Sequence, residues 1–153
     1  MFVRDFIHVP QPFEDVAPRF APDASWLLPI AEAACAVGEE VLSALGGESF
    51  AANAGYPSAA AARIEIGPVR SHASSLLVPL WFVGARAGLP DLNGDLEIAP
   101  VGRSRSLVAF GATYPRPARE LAAAALVDRA TEAGVRSFLN GIALALAATE
   151  ARS

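Results

Sequence analysis

Hydrophobic and polar positions alternate along several short segments of the chain, which is the pattern of strands with one buried face. In residues 62–69, ARIEIGPV, isoleucine stands at every second position between charged residues. Near the start, aromatic and β-branched residues followed by two prolines predict a strand as well. The predicted strands are residues 2–9, 62–69, 75–83, 94–99 and 106–114. Because the last four are joined by short separators, the pattern favours an antiparallel meander.

Three other segments carry helix signals. Residues 13–20 follow a proline and have acidic residues in their first turn. In residues 23–45, apolar residues recur at steps of three and four, and the same spacing runs through residues 119–148, which contain no proline. The apolar stripe of this long last helix consists of Val135, Phe138, Leu139, Ile142 and Leu146. Gly134 and Gly141 each cost about 1 kcal/mol relative to alanine, so their presence indicates close packing or a slight bend.

Length and composition favour one globular domain over residues 1–153, with 53% hydrophobic and 18% charged residues. The formal net charge is -4 and the arginines are scattered, so we expect no nucleic-acid partner. A membrane-spanning helix needs about 20 consecutive apolar residues, and no apolar run of the sequence is that long. The first residues lack a signal-peptide pattern. We therefore expect a cytoplasmic protein with no integral membrane segment. The single cysteine, Cys35, excludes an internal disulfide.

The order of one strand, two helices, a strand meander and a long last helix resembles the helix-grip fold of the START and birch-pollen-allergen-like superfamily, SRPBCC. The segments behind this resemblance are VRDFIHVPQPFEDVAPRF near the start, VPLWF and GDLEIAPVG in the middle, and YPRPARELAAAALVDRATEAGVRSFLNGIA at the end. The resemblance implies an α+β fold in which a curved antiparallel sheet of five to seven strands wraps around the C-terminal helix and encloses an apolar cavity. Members of the superfamily bind lipids, sterols or polyketides, or act as cyclases, dehydratases or carriers, and the fold alone does not choose among these functions.

The acidic segment DLNGDLEIAPVG, residues 91–102, raises the question of a calcium site. An EF-hand loop has glycine at its sixth position and glutamate at its twelfth, whereas glycine is fourth here and Gly102 is twelfth. The spacing instead predicts a turn with positive φ at residues 93–94. A strand follows, with Asp95 and Glu97 on its solvent face.

The expected partner is a hydrophobic small molecule, lipid-, terpenoid- or polyketide-like, held between the sheet and the C-terminal helix without catalysis. Such a site needs a cavity of about 300 Å³ or more, and apolar burial supplies its affinity at about 25 cal/mol per Å². The candidate ligand-binding residues are Ile66, Leu80, Phe82, Leu96, Ile98, Phe110, Tyr114, Phe138 and Ile142. We expect no metal and no cofactor, because His8 and His72 lack further ligands at metal-binding spacing. Cys35 lacks a neighbouring base that would activate it as a nucleophile.

Two alternatives remain open at the level of the sequence. One is an aromatase/cyclase- or dehydratase-like enzyme, for which Tyr114, Arg70 and His72 are the candidate polar residues. The other is an interaction module without a ligand, in which an exposed Trp81 and residues 50–56 form a patch for a partner or for a homodimer. Residues 46–61, rich in small residues, either form a loop or add a strand.

Overall fold

The computed structural model describes residues 1–45, 63–83, 89–115 and 121–151. In chain order its elements there are β1 (Phe2–Val9), α1 (Phe13–Phe20), α2 (Leu27–Ala44), β2 (Arg63–Ile66), β3 (Arg70–His72), β4 (Ser75–Val83), β5 (Leu92–Val101), β6 (Arg105–Thr113) and α3 (Leu121–Glu150). The predicted order of one strand, two helices, a meander and a long last helix is confirmed.

The strands form one antiparallel sheet in the order β1-β6-β5-β4-β2, and β3 pairs with the first residues of β4. The meander strands β4, β5 and β6 lie side by side, as short connections between sequential strands require. Side chains that share a face meet across the register, so that Leu96 of β5 lies opposite Phe110 of β6, both fully buried. The sheet with the long helix laid across it is the helix-grip fold.

Strand β3 is absent from the sequence prediction, which has only a short separator between the strands of residues 62–69 and 75–83. The three residues of β3 are polar and exposed, and no apolar residue marks the strand in the sequence. Backbone hydrogen bonds to β4 suffice to form it, and the chain reverses at Ala73 with a φ of 53°. The sheet thus has six strands among the described residues. The question of a strand within residues 46–61 concerns residues outside the described ranges.

Gly94 lies inside β5 rather than in the predicted turn, and the prediction of a positive φ there was wrong. The strand already begins at Leu92, and Gly94 pairs with Ala112 of β6. A Cβ at this position would overlap the carbonyl oxygen of Gly111 and lie 2.7 Å from the Cβ of Ala112. The close approach of β6 therefore requires glycine here.

The two longer helices close the inner face of the sheet. Helix α2 packs along α3, and the two glycines of α3 lie at this contact. A Cβ at Gly134 would lie 3.3 Å from the carbonyl oxygen of Ala34, and one at Gly141 would lie 2.5 Å from Cγ2 of Ile30. The close-packing explanation of these glycines is confirmed. No helix within the described ranges is both long and apolar enough to cross a membrane.

Candidate functional site

Three phenylalanine rings meet at the centre of the molecule, where the sheet faces α3. Phe82 of β4, Phe110 of β6 and Phe138 of α3 have ring centroids 5.7 to 5.9 Å apart and interplanar angles of 65° to 84°. This edge-to-face arrangement is the favourable one for aromatic pairs. All three rings are buried, so the space between the sheet and the helix is largely filled by their own packing.

A small cavity remains beside the three rings, where α2, α3 and one end of the sheet converge. Its volume is about 40 Å³, room for about one or two water molecules. The described residues therefore enclose much less space here than the expected 300 Å³ or so, and the aromatic packing is the physical reason. The lining residues are Ala34, Cys35, Gly38, Phe82, Leu89, Pro90, Leu92, Phe110, Ala130, Thr131, Gly134, Val135 and Phe138.

The helix side of the cavity is built from small residues. Ala34 and Gly38 lie one turn apart on α2, and Ala130 and Gly134 lie one turn apart on α3. A Cβ at Gly38 would lie 3.2 Å from the carbonyl oxygen of Ala130 and equally close to Cδ1 of Leu89. The absence of side chains at the two glycines lets the helices approach and leaves the hollow between them.

Two polar side chains belong to the cavity wall. Thr131 donates a hydrogen bond from Oγ1 to the carbonyl oxygen of Val127 at 2.8 Å. Burial, and secondarily the negative charges of Glu39 and Glu32, raise the pKa of the Cys35 thiol to about 11. The thiol is therefore protonated at neutral pH and a poor nucleophile. A wall of this composition offers apolar burial rather than polar recognition.

Three of the nine residues predicted to bind a ligand line this cavity, namely Phe82, Phe110 and Phe138. The other six lie outside its lining: Leu80, Leu96, Ile98 and Ile142 are fully buried, Tyr114 is 5% exposed, and Ile66 packs against the core with partial exposure. Contact with a ligand stays a prediction for all nine. The α2 side of the cavity was not predicted from the sequence, although small residues four positions apart on both helices are a usable signal of close approach.

The polar residues considered for catalysis do not converge. Arg70 and His72 lie on the exposed strand β3, where Nη2 of Arg70 lies 3.4 Å from Oδ1 of Asp95. Tyr114 is buried at the end of β6 and donates its hydroxyl to Oδ1 of Asp128 at 2.6 Å. None of these three candidates lines the cavity.

The acidic residues of β5 lie as the sequence predicts. Asp95 and Glu97 alternate with the fully buried Leu96 and Ile98, so the acids share the outer face of the sheet. In the described part of the chain, no three His, Cys, Asp or Glu side chains group together in a way that could hold a metal ion.

The patch considered for an interaction module is only partly described. Trp81 is half-buried on the outer face of β4 and covers Gly67, where a Cβ would lie 2.9 Å from the indole ring. Trp81 is thus less exposed than the sequence analysis assumed. Residues 50–56 lie outside the described ranges.

The fold and the cavity together define a helix-grip protein with an apolar pocket between its two longer helices and the sheet. No protein-family model matches the chain, and no curated protein sequence matches it. A crystal structure of a Thermus thermophilus protein is similar at 15% identity and a TM-score of 0.47, covering 97% of this chain and 99% of that one. The Zhui aromatase/cyclase from Streptomyces is similar at 14% identity and a TM-score of 0.40, covering 95% and 93% respectively. At such low identities and TM-scores, the assignment of this chain rests on its own elements.

Proposed function

We propose that this protein binds a compact hydrophobic molecule, terpenoid- or polyketide-like, in the cavity beside the three phenylalanine rings, without catalysing a reaction. The observation that carries the proposal is the apolar hollow itself, kept open between two helices that glycines bring close together. Close packing is the rule in protein interiors. A hollow lined by aromatic and aliphatic side chains therefore favours an apolar guest.

The cavity must widen to admit such a molecule, and one part of its wall is suited to move. Every lining residue except Leu89 and Pro90 belongs to a helix or a strand. Leu89 is 8% exposed and lies against Gly38. Exposing a buried leucine costs about 1.5–3 kcal/mol. A ligand that buries about 200 Å² of apolar surface gains about 5 kcal/mol at 25 cal/mol per Å², which offsets that cost.

The polar content of the wall favours binding over catalysis. A general acid or base must lie within hydrogen-bonding reach of the reacting group and have a pKa near the working pH. The hydroxyl of Thr131 already donates to the backbone, and the raised pKa of Cys35 keeps its thiol neutral. These properties suit a carrier or a sensor of a hydrophobic molecule.

Two lining variants test the site in opposite directions, with indole as the probe. Leu89→Ala removes the side chain that limits the cavity, so it should bind indole severalfold more tightly than the wild type, although the truncation destabilises the fold by about 2 kcal/mol or more. Ala34→Val adds two methyl groups at a lining position and should weaken binding. Isothermal titration calorimetry measures both affinities.

Leu144→Ala is the matched control, because it truncates a leucine as Leu89→Ala does, at a position that is 73% exposed and does not line the cavity. Its affinity for indole should stay within about twofold of the wild type, since a surface substitution away from the site changes free energies by no more than about 0.5 kcal/mol. If neither the wild type nor Leu89→Ala binds indole saturably, the cavity is not the binding site.

A further inference from the structure

The outer face of the sheet, on the side away from α2 and α3, has two exposed aromatic rings at one edge. Phe2 is 61% exposed and Phe6 is 52% exposed, and both belong to β1. In the described part of the chain, every other phenylalanine is buried or partly buried. The ring of Phe2 reaches across to β6, where a Cβ at Gly111 would lie 3.3 Å from its Cζ. Two large apolar rings exposed on one face indicate an interaction surface.

Two opposite charges without partners lie on the same face. Arg4 stands between the two rings along β1 and is exposed. Glu97 of β5 is partly buried and pairs with Ala109 of β6, which in turn pairs with Phe6. Within the described ranges, neither Arg4 nor Glu97 makes a hydrogen bond or an ion pair. Both charges are therefore available to a partner that covers this face.

The register separates these charges by one strand of small residues. On the outer face, β6 contributes Gly111 and Ala109 between Arg4 on the β1 side and the acids Asp95 and Glu97 on the β5 side. A twofold axis along β6 would place β1 of one copy over β5 of the other. The cation of each copy would then face the acids of its partner. The face is thus complementary in charge to a second copy of itself, as a twofold interface requires.

The free edge of β1 is less suited to a partner than the face. Oδ1 of Asp5 accepts a hydrogen bond from the N–H of Phe6 at 2.9 Å and another from Nη2 of Arg136 at 2.7 Å. Side chains of β1 and α3 thus protect the edge against an added strand. The face is formed by β1, β6, β5 and β4, each of eight to ten residues. Its extent of about 19 by 30 Å is on the scale of the about 800 Å² that each partner buries in a stable interface.

We propose that this outer face is the interface of a twofold homodimer. The faces of the two copies stack about 10 Å apart, and Phe2 and Phe6 of each copy are buried against β5 and β6 of the other. Arg4 of each copy pairs with the partner's Glu97. The cavity lies on the opposite side of the sheet, so the dimer does not depend on the proposed function.

Sedimentation equilibrium of the full chain at several protein concentrations tests the proposal. We expect a dimer whose dissociation constant rises with salt, because salt screens the charge pairs. Phe6→Asp should weaken the dimer at least about tenfold, since it buries an unpaired charge in place of a ring. Leu144→Asp is the matched control, because it adds the same charge at an apolar position of α3 that is 73% exposed. It should dimerise as the wild type does.

Charge reversal tests the pairing of Arg4 with Glu97. Asp95 already lies 3.4 Å from Arg70, so Glu97 is the acid to exchange. Arg4→Glu and Glu97→Arg, made singly, each place like charges opposite one another and should weaken the dimer about tenfold. The double variant restores opposite charges and should recover the wild-type dissociation constant. Circular dichroism shows that each variant is folded.

Several outcomes would overturn the proposal. One is a monomer at every concentration, including a monomer that cosediments with phosphatidylserine vesicles, since the face would then serve a different partner. Another is a dimer that Leu144→Asp dissociates and Phe6→Asp does not, which would place the interface on the helices. A double charge reversal that dimerises no better than the single variants would refute the twofold arrangement.

Discussion

Burial in the cavity wall raises the pH at which the thiol of Cys35 ionises. The stability of the protein should therefore depend on pH in this range. The folded pKa is about 11 against an ordinary value of 9.0, so the unfolded chain loses this proton first as the pH rises. The free energy of unfolding should therefore fall between about pH 9 and about pH 11. Urea denaturation at several pH values in this window measures the slope, and Cys35→Ala should show a shallower one. Equal slopes would show that the folded thiol ionises as freely as the unfolded one.

Phe138 is the ring through which α3 contacts Phe82 and Phe110 of the sheet, with ring centroids 5.9 and 5.7 Å away. Phe138→Ala leaves a void among rigid neighbours, so the free energy of unfolding should fall by about 3–5 kcal/mol. Leu144→Ala on the same helix is the control, because Leu144 is 73% exposed and its truncation should change stability by no more than about 0.5 kcal/mol. Similar losses in both variants would contradict the assigned role of the aromatic cluster.

At the scale of single residues, the sequence predicts which side chains are apolar and inward but not how they share space. Phe82, Phe110 and Phe138 were predicted from periodicity because they lie on inward-facing positions of strands and helix. The three rings fill the centre through tertiary packing, which periodicity does not specify. The wall residues Ala34, Gly38 and Leu89 escaped prediction because their role depends on how two helices and a connection meet.

At the scale of elements, the close approach of β5 and β6 depends on Gly94. Gly94→Ala places a Cβ on the carbonyl oxygen of Gly111, so the two strands must separate locally, and the melting temperature should fall by several degrees. Thr113→Ala at an exposed end of β6 is the control and should change the melting temperature little. A melting temperature of Gly94→Ala equal to that of the control would show that the sheet tolerates the added atom.

Most elements were predictable because each carries its own periodic signal. The strands Phe2–Val9 and Ser75–Val83 and the helix Phe13–Phe20 agree with the predicted ranges residue for residue. The prediction failed at β3, since its pairing uses backbone groups alone. It also failed at Gly94, where glycine has a steric cause that the sequence pattern does not distinguish from a turn.

At the scale of the whole molecule, the described residues form a helix-grip fold with several recesses. One is the apolar hollow beside the aromatic cluster, and a second is the polar cleft between α1 and the last turns of α3. The sequence indicated the fold through the order of its elements. It gave no indication of the second recess, because Gln11 and Glu150, which line it, are 139 positions apart in the chain.

Native mass spectrometry of the protein purified from its source, followed by organic extraction, shows whether a hydrophobic molecule occupies the cavity. We expect a one-to-one complex with a hydrophobic molecule that extraction removes, and a lower occupancy in Ala34→Val purified in the same way. A protein that carries no hydrophobic molecule, or one whose occupancy is the same in Ala34→Val, would contradict the proposed function.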